Sequence, residues 1–110
     1  MIRLVAYALA LGISVASAAT AQDAVTRGEK VYADQKCTVC HSIAGKGNAK
    51  GALDEVGSKR SADEIRAWIT DAKSMTAKTG AARKPPMRMF TLPTEDVDAL
   101  VAYLQTLRKK

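Results

Sequence analysis

Cys37-Thr38-Val39-Cys40-His41 sets two thiols three residues apart and places an imidazole directly after the second. On a helical turn, positions i, i+3 and i+4 share a face, so all three side chains can address one object. The chain has two cysteines and one histidine, and this pentapeptide uses all of them. A zinc site needs three or four ligands, commonly from separate parts of the chain. A thioredoxin-like dithiol needs a strand–helix framework, and no strand pattern is present. A disulfide between Cys37 and Cys40 would close too short a loop to stabilise much, and would leave His41 without a purpose. The C-x-x-C-H spacing instead fits covalent attachment of one haem: two thioethers from Cys37 and Cys40, with His41 as proximal iron ligand.

Toward the N-terminus, Arg3 precedes an uncharged apolar run from Leu4 to Val15. Ala19-Thr20-Ala21 then forms a small-x-small site before Gln22-Asp23. That order predicts an export signal over residues 1–21, cleaved after Ala21, with Ala16-Ser17-Ala18 as a rival site. Residues 22–110 are then one exported domain. A chain this short has a modest core, and an exported domain of that size commonly needs a staple. Haem attachment supplies one.

The 110 residues carry a formal charge of +6. A basic chain suits an acidic partner, an anionic membrane or nucleic acid. Export excludes nucleic acid, and aromatic residues amount to only 5%, too few for a base-stacking surface.

Between the punctuating residues, three segments have helical spacing. The first spans about Ala24 to Lys36, with Val25, Gly28, Val31 and Tyr32 near one face. The second opens on the capping box Ser61-Ala62-Asp63-Glu64 and continues through Ile65, Trp68, Ile69 and Ala72, with Met75 near its end. The third begins near Thr94, with Leu92 or Thr94 as cap or Pro93 as first helical residue. Its stripe is Val97, Leu100, Val101, Leu104 and Leu107, and Arg108-Lys109-Lys110 suit its negative end. Nothing reads as a strand. Ile43 to Ser58, with four glycines, and Thr79 to Pro93, with three prolines and Gly80, read as two loops. Long loops in a compact domain commonly carry function; these two are expected to wall a cofactor pocket.

A sixth iron ligand has to come from elsewhere in the chain, and no second histidine exists. Met75, Met87 and Met89 are the candidates once Met1 leaves with the signal. In an extended segment Met87 and Met89 point opposite ways, so only one of them can face the iron. Pro85-Pro86 stiffens the approach to both.

With these features together, the chain resembles the class I c-type cytochromes of the small monohaem bacterial type. The resemblance rests on Gly28-Glu29-Lys30-Val31-Tyr32, Cys37 to His41, Gly51-Ala52-Leu53 with Val56-Gly57, Trp68-Ile69, Pro86-Met87, and Val97 to Leu104 with Tyr103. It implies an all-α fold wrapped around one haem c, with the first and last helices crossing at Gly28 near Leu100 and Tyr103, and Tyr32 packed beside them. It implies Met87 as the iron ligand, since the family methionine follows a proline about sixteen residues before an aromatic of the last helix. Met87 stands 16 residues before Tyr103 and Met89 stands 14 before it. Trp68 resembles the family aromatic that lies against the haem and donates to a propionate; plain core packing is the competing reading. Relatives often carry proline in the Gly51-Ala52-Leu53 stretch, where a carbonyl accepts from the proximal imidazole. Here Ala52 stands without that ring, and the bond can still form.

The function implied is electron transfer without catalysis by a periplasmic monomer with acidic redox partners. A basic rim of Lys36, Lys46, Lys50, Arg83, Lys84 and Arg88 would steer those partners. The competing expectations are a haem subunit fixed in a larger oxidoreductase, and a ligand-binding haem protein with a labile methionine.

Overall fold

The computed structural model describes Gly12 and residues 16–110. The predicted signal therefore lies largely outside the described residues, apart from Gly12 and 16–21. Five helices dominate: α1 (Ala16–Asp34), α2 (Val56–Lys59), α3 (Ala62–Thr70), α4 (Ala72–Thr79) and α5 (Thr94–Gln105). The expected all-α class holds.

Helix α1 starts earlier than its predicted first residue near Ala24 and runs unbroken through Ala21. Alanine, the strongest helix former, supplies much of that extension. The helix ends at Asp34 because Lys36 takes a left-handed conformation, φ 56, and turns the chain into a 3₁₀ turn at Cys37–Val39.

The segment predicted as one helix from Ser61 is two. The capping box forms as predicted: Ser61 Oγ accepts from the Glu64 N–H at 3.1 Å, and Glu64 Oε1 accepts from the Ser61 N–H at 3.1 Å. Asp71 then leaves helical geometry, φ −146 and ψ 50, and α4 restarts at Ala72. Thr70-Asp71 are weak helix formers. The Ile69 carbonyl is also drawn to the Phe90 N–H of the following loop, at 3.3 Å.

Helix α5 begins at Thr94. Pro93 is its cap rather than its first residue, and the Pro93 carbonyl accepts from Asp96 and Val97 at 2.9 and 3.1 Å. The helix ends at Gln105, so Leu107 and the basic tail lie beyond its last turn. The tail folds back instead. The Gly57 N–H donates to the Leu107 carbonyl at 2.7 Å, and the Lys109 N–H to Ser58 Oγ at 2.8 Å.

The loop expected over Ile43 to Ser58 contains more order than its glycines suggest. Ser42–Ile43 (β1) and Lys46–Gly47 (β2) pair antiparallel, Ser42 opposite Gly47 and Ile43 opposite Lys46. Ala44 and Gly45 make the turn with φ 52 and 77. Two-residue strands are too short for alternation to register. A 3₁₀ turn at Ala49–Gly51 and α2 follow.

The core forms where α1 crosses α5, with α3 against α5. Val31, Tyr32, Ile65, Ile69, Val97, Leu100, Val101 and Leu104 form one buried cluster. The crossing needs glycine: a Cβ on Gly28 would collide with the Ala99 carbonyl and lie 2.6 Å from Tyr103 Cβ. Tyr32 and Tyr103 meet edge to face, centroids 6.0 Å apart. Arg27 bridges the same pair of helices outside the core, reaching Asp96 at 2.7 Å and Glu95 at 3.4 Å in the first turn of α5. Those carboxylates also suit the positive end of that helix.

Candidate functional site

The Cys-x-x-Cys-His turn is built by its own backbone. The Cys37 carbonyl accepts from both Cys40 and His41, at 3.1 and 2.8 Å. Asn48 then fastens it from the hairpin: its N–H is shared by the Thr38 and His41 carbonyls at 3.1 and 3.0 Å, and its Nδ2 donates to the Val39 carbonyl at 3.2 Å. Asn48 was not among the residues expected to matter. Its only signal is a turn-forming residue next to Gly47. Gly47, φ 110, lies so close to the His41 carbonyl that a Cβ there would collide with it.

His41 Nδ1 lies 2.9 Å from the Gly51 carbonyl. A carbonyl only accepts, so Nδ1 carries the proton and Nε2 is left bare to ligate a metal. The accepting carbonyl of the 51–53 stretch is thus that of Gly51. Ala52 holds φ −60, the value a proline ring would impose, so the loop keeps that shape without the ring. Burial depresses the His41 pKa, the Gly51 bond opposes the shift, and the charge of Arg83 adds to it. The ring is accordingly neutral and ready to ligate. Burial pushes the Cys37 thiol up, against the pull of Arg88.

These side chains face a cavity of about 500 Å³. The glycine loop contributes Gly51, Ala52 and Leu53, the helices contribute Tyr32, Trp68 and Leu100, and the proline loop contributes Arg83 and Pro85 to Met87. A second cavity of about 390 Å³ shares Cys37, Cys40, His41 and Pro85 to Met87 with it and is also lined by Lys36 and Arg88. The two loops expected to wall a pocket do so. Met87 lines both cavities. Met89 is 56% exposed and, like Met75, lines neither.

The chemistry of the lining fits a haem. The wall is largely apolar, as a porphyrin face requires. Among the described residues, the buried side-chain polar atoms with no partner are Tyr32 Oη and Trp68 Nε1, and both residues line the larger cavity. A buried donor with no acceptor costs about 1–3 kcal/mol. Both atoms make sense if a bound group brings acceptors; a haem has two carboxylates. Desolvation of the Tyr32 hydroxyl pushes its pKa up to about 12, so it stays a donor. Arg60 lies over the Trp68 ring, 5.7 Å from its centroid, and adds a cation beside that indole. No group of three or more metal-binding His, Cys, Asp or Glu side chains occurs among the described residues.

Two comparisons bear on identity. The profile of the cytochrome c family matches residues 25–108. A curated protein similar to it is the one named cytochrome c oxidase subunit 2 of Alkalihalophilus pseudofirmus (strain ATCC BAA-2126 / JCM 17055 / OF4), 29% identical over 91 residues, covering 74% of this chain and 25% of that one. The chain thus spans about a quarter of that relative's length. No solved structure matches it. A profile match across nearly the whole folded region, over a C-x-x-C-H turn and a cavity suited to a porphyrin, places this chain in the cytochrome c family, whose members transfer electrons through covalently bound haem c.

Proposed function

We propose that this protein is a periplasmic one-electron carrier, made as a precursor and cleaved after Ala21, that works as a monomer with one haem c. Cys37 and Cys40 would hold the haem by thioethers, and His41 Nε2 and Met87 would occupy the two axial positions. When bound, the haem supplies an iron that alternates between ferrous and ferric states. The observation that carries this reading is the placement of Met87. It is the methionine that lines both cavities together with His41, while Met89 faces solvent.

The chain's own residues do the rest. With both axial sites occupied by protein, no substrate reaches the iron, and thioether ligation favours the reduced state. The Gly51 carbonyl fixes the orientation of the His41 ring. Trp68 Nε1, with Arg60 above its ring, would hold a propionate. The apolar lining excludes water, so little solvent has to reorient when the charge changes by one unit, which suits fast transfer without rearrangement.

Partners would be acidic redox proteins. Lys36, Lys46, Lys50, Arg83, Lys84 and Arg88 come from the loops around the cavities, and all are exposed. Among the described residues none of the six has a carboxylate partner, whereas Arg27, Lys30, Lys59, Arg60 and Arg66 are paired. The positive rim is therefore not neutralised locally.

A second reading has one observation behind it. The similar protein is named an oxidase subunit and is about four times as long as the matched segment. A like module can thus sit inside a larger chain, and this protein could be a fixed haem subunit of an oxidoreductase. Co-purification separates the two, since a carrier elutes alone. Visible spectra of the ferrous protein with and without carbon monoxide test the ligation. The proposed carrier gives the same spectrum in both, and a shifted spectrum would point to an open iron.

A further inference from the structure

We propose that Arg83 is a positioning residue that raises the reduction potential by holding a fixed positive charge against the His41–Gly51 pair. This rests on the reading of His41 as an iron ligand. Arg83 belongs to the proline loop, four residues before Met87, yet its guanidinium reaches the glycine loop. A Cβ on Gly51 would collide with Arg83 Nη1 and with the Cys40 carbonyl, and would lie 2.9 Å from His41 Nδ1. Three groups therefore share a space that exists because residue 51 has no side chain. Glycine is needed there for room, since its φ is not positive.

The charge is permanent, because guanidinium is not deprotonated in proteins. It is also unshared: among the described residues Arg83 has no carboxylate partner. Its place at the Nδ1–H to carbonyl contact matters. That hydrogen bond pushes electron density onto the ring and toward the metal. A cation at the same point draws it back. Oxidation removes one electron from ferrous iron, moves no proton and adds one positive charge to the site. A neighbouring positive charge disfavours that product and so favours the ferrous form. Lys84, the next residue, lines neither cavity and serves as a control for surface charge in general.

The test uses the haem-loaded protein and its Arg83→Gln, Arg83→Lys and Lys84→Gln variants in a spectroelectrochemical titration. The red-edge iron–sulfur band of the ferric form is followed alongside. Arg83→Gln should move the ferrous-to-ferric ratio at a fixed applied potential roughly fivefold toward ferric; tenfold would be 59 mV for a one-electron couple. Arg83→Lys should stay within about twofold of the parent, since the charge is kept. Lys84→Gln should do the same, and the band should persist in all three. An unchanged ratio in Arg83→Gln would overturn the assignment, as would an equal shift in Lys84→Gln. A fall accompanied by loss of the band would make Arg83 a clamp on the Met87 loop and overturn it too. Parent protein that carries no haem would overturn the reading beneath it.

Discussion

Met87 and Met89 are two residues apart, and the proposed ligation turns on the difference in their surroundings. Met87 lies in the wall of both cavities. Met89 is among the most exposed large apolar side chains of the described residues. Met87→Ala should abolish the red-edge sulfur-to-iron band of the ferric protein, lower the potential and open the iron to carbon monoxide. Met89→Ala should leave band and potential unchanged; visible spectra of both variants check this, and the reverse outcome would move the ligand to Met89. At this scale much was legible in the sequence. Cys37, Cys40 and His41 could be read because five consecutive residues contain the whole constellation. Met87 was a candidate through Pro86 and, by the family resemblance, its distance to Tyr103, and it does line both cavities. Asn48 was not, because its partners are backbone carbonyls of the Cys-His turn, and Arg83 was read only as part of the basic rim, because its approach to Gly51 depends on the fold. Trp68 faces the cavity with its N–H unpartnered, which favours the cofactor contact over plain packing.

The decisive contact between elements is the crossing of α1 and α5. Gly28→Val would drive a branched side chain into the Ala99 carbonyl, and overpacking at backbone has no flexible neighbour to yield. We expect a loss of about 3 kcal/mol or more, read as a lower urea midpoint in the haem-loaded protein. The capping box of α3 makes a milder, pH-dependent claim. The Glu64 pKa is lowered, chiefly by its bond to the Ser61 backbone. A depressed carboxyl contributes stability that is complete above its unfolded value of 4.5 and is lost as pH falls through the folded value. Ser61→Ala should cost about 1 kcal/mol at neutral pH. Glu64→Gln should flatten the fall in urea midpoint between about pH 6 and about pH 3. Helix positions and the starts of α3 and α5 followed from the sequence, but the start and end of α1, the break after α3 and the end of α5 did not. The break at Asp71 depends on a loop that takes the Ile69 carbonyl. The hairpin at Ser42–Gly47 is too short to leave a pattern, and it exists to bring Asn48 under the Cys-His turn.

For the whole molecule, net charge matters less than where the unpaired part lies. Among the described residues Arg27, Lys30, Lys59, Arg60 and Arg66 are paired with carboxylates, and the six cations of the two loops and the Cys-His turn have no carboxylate partner. Such a rim should speed encounter with an acidic partner and lose that advantage as the Debye length falls below about 10 Å. Bimolecular transfer rates should drop steeply with ionic strength. Lys50→Glu with Lys84→Glu should slow them further at low salt and leave the haem spectrum alone. Rates that stay flat with salt would remove the rim and leave the carrier reading intact. No helix among the described residues is long and apolar enough to cross a membrane. All of this depends on a haem fixed to Cys37 and Cys40, and one measurement reaches that directly: the intact mass and colour of the exported protein after acid–acetone extraction. The expected result is a red polypeptide whose mass is that of residues 22–110, or of the chain cut at the rival site, plus one haem. A colourless polypeptide of bare chain mass would contradict it.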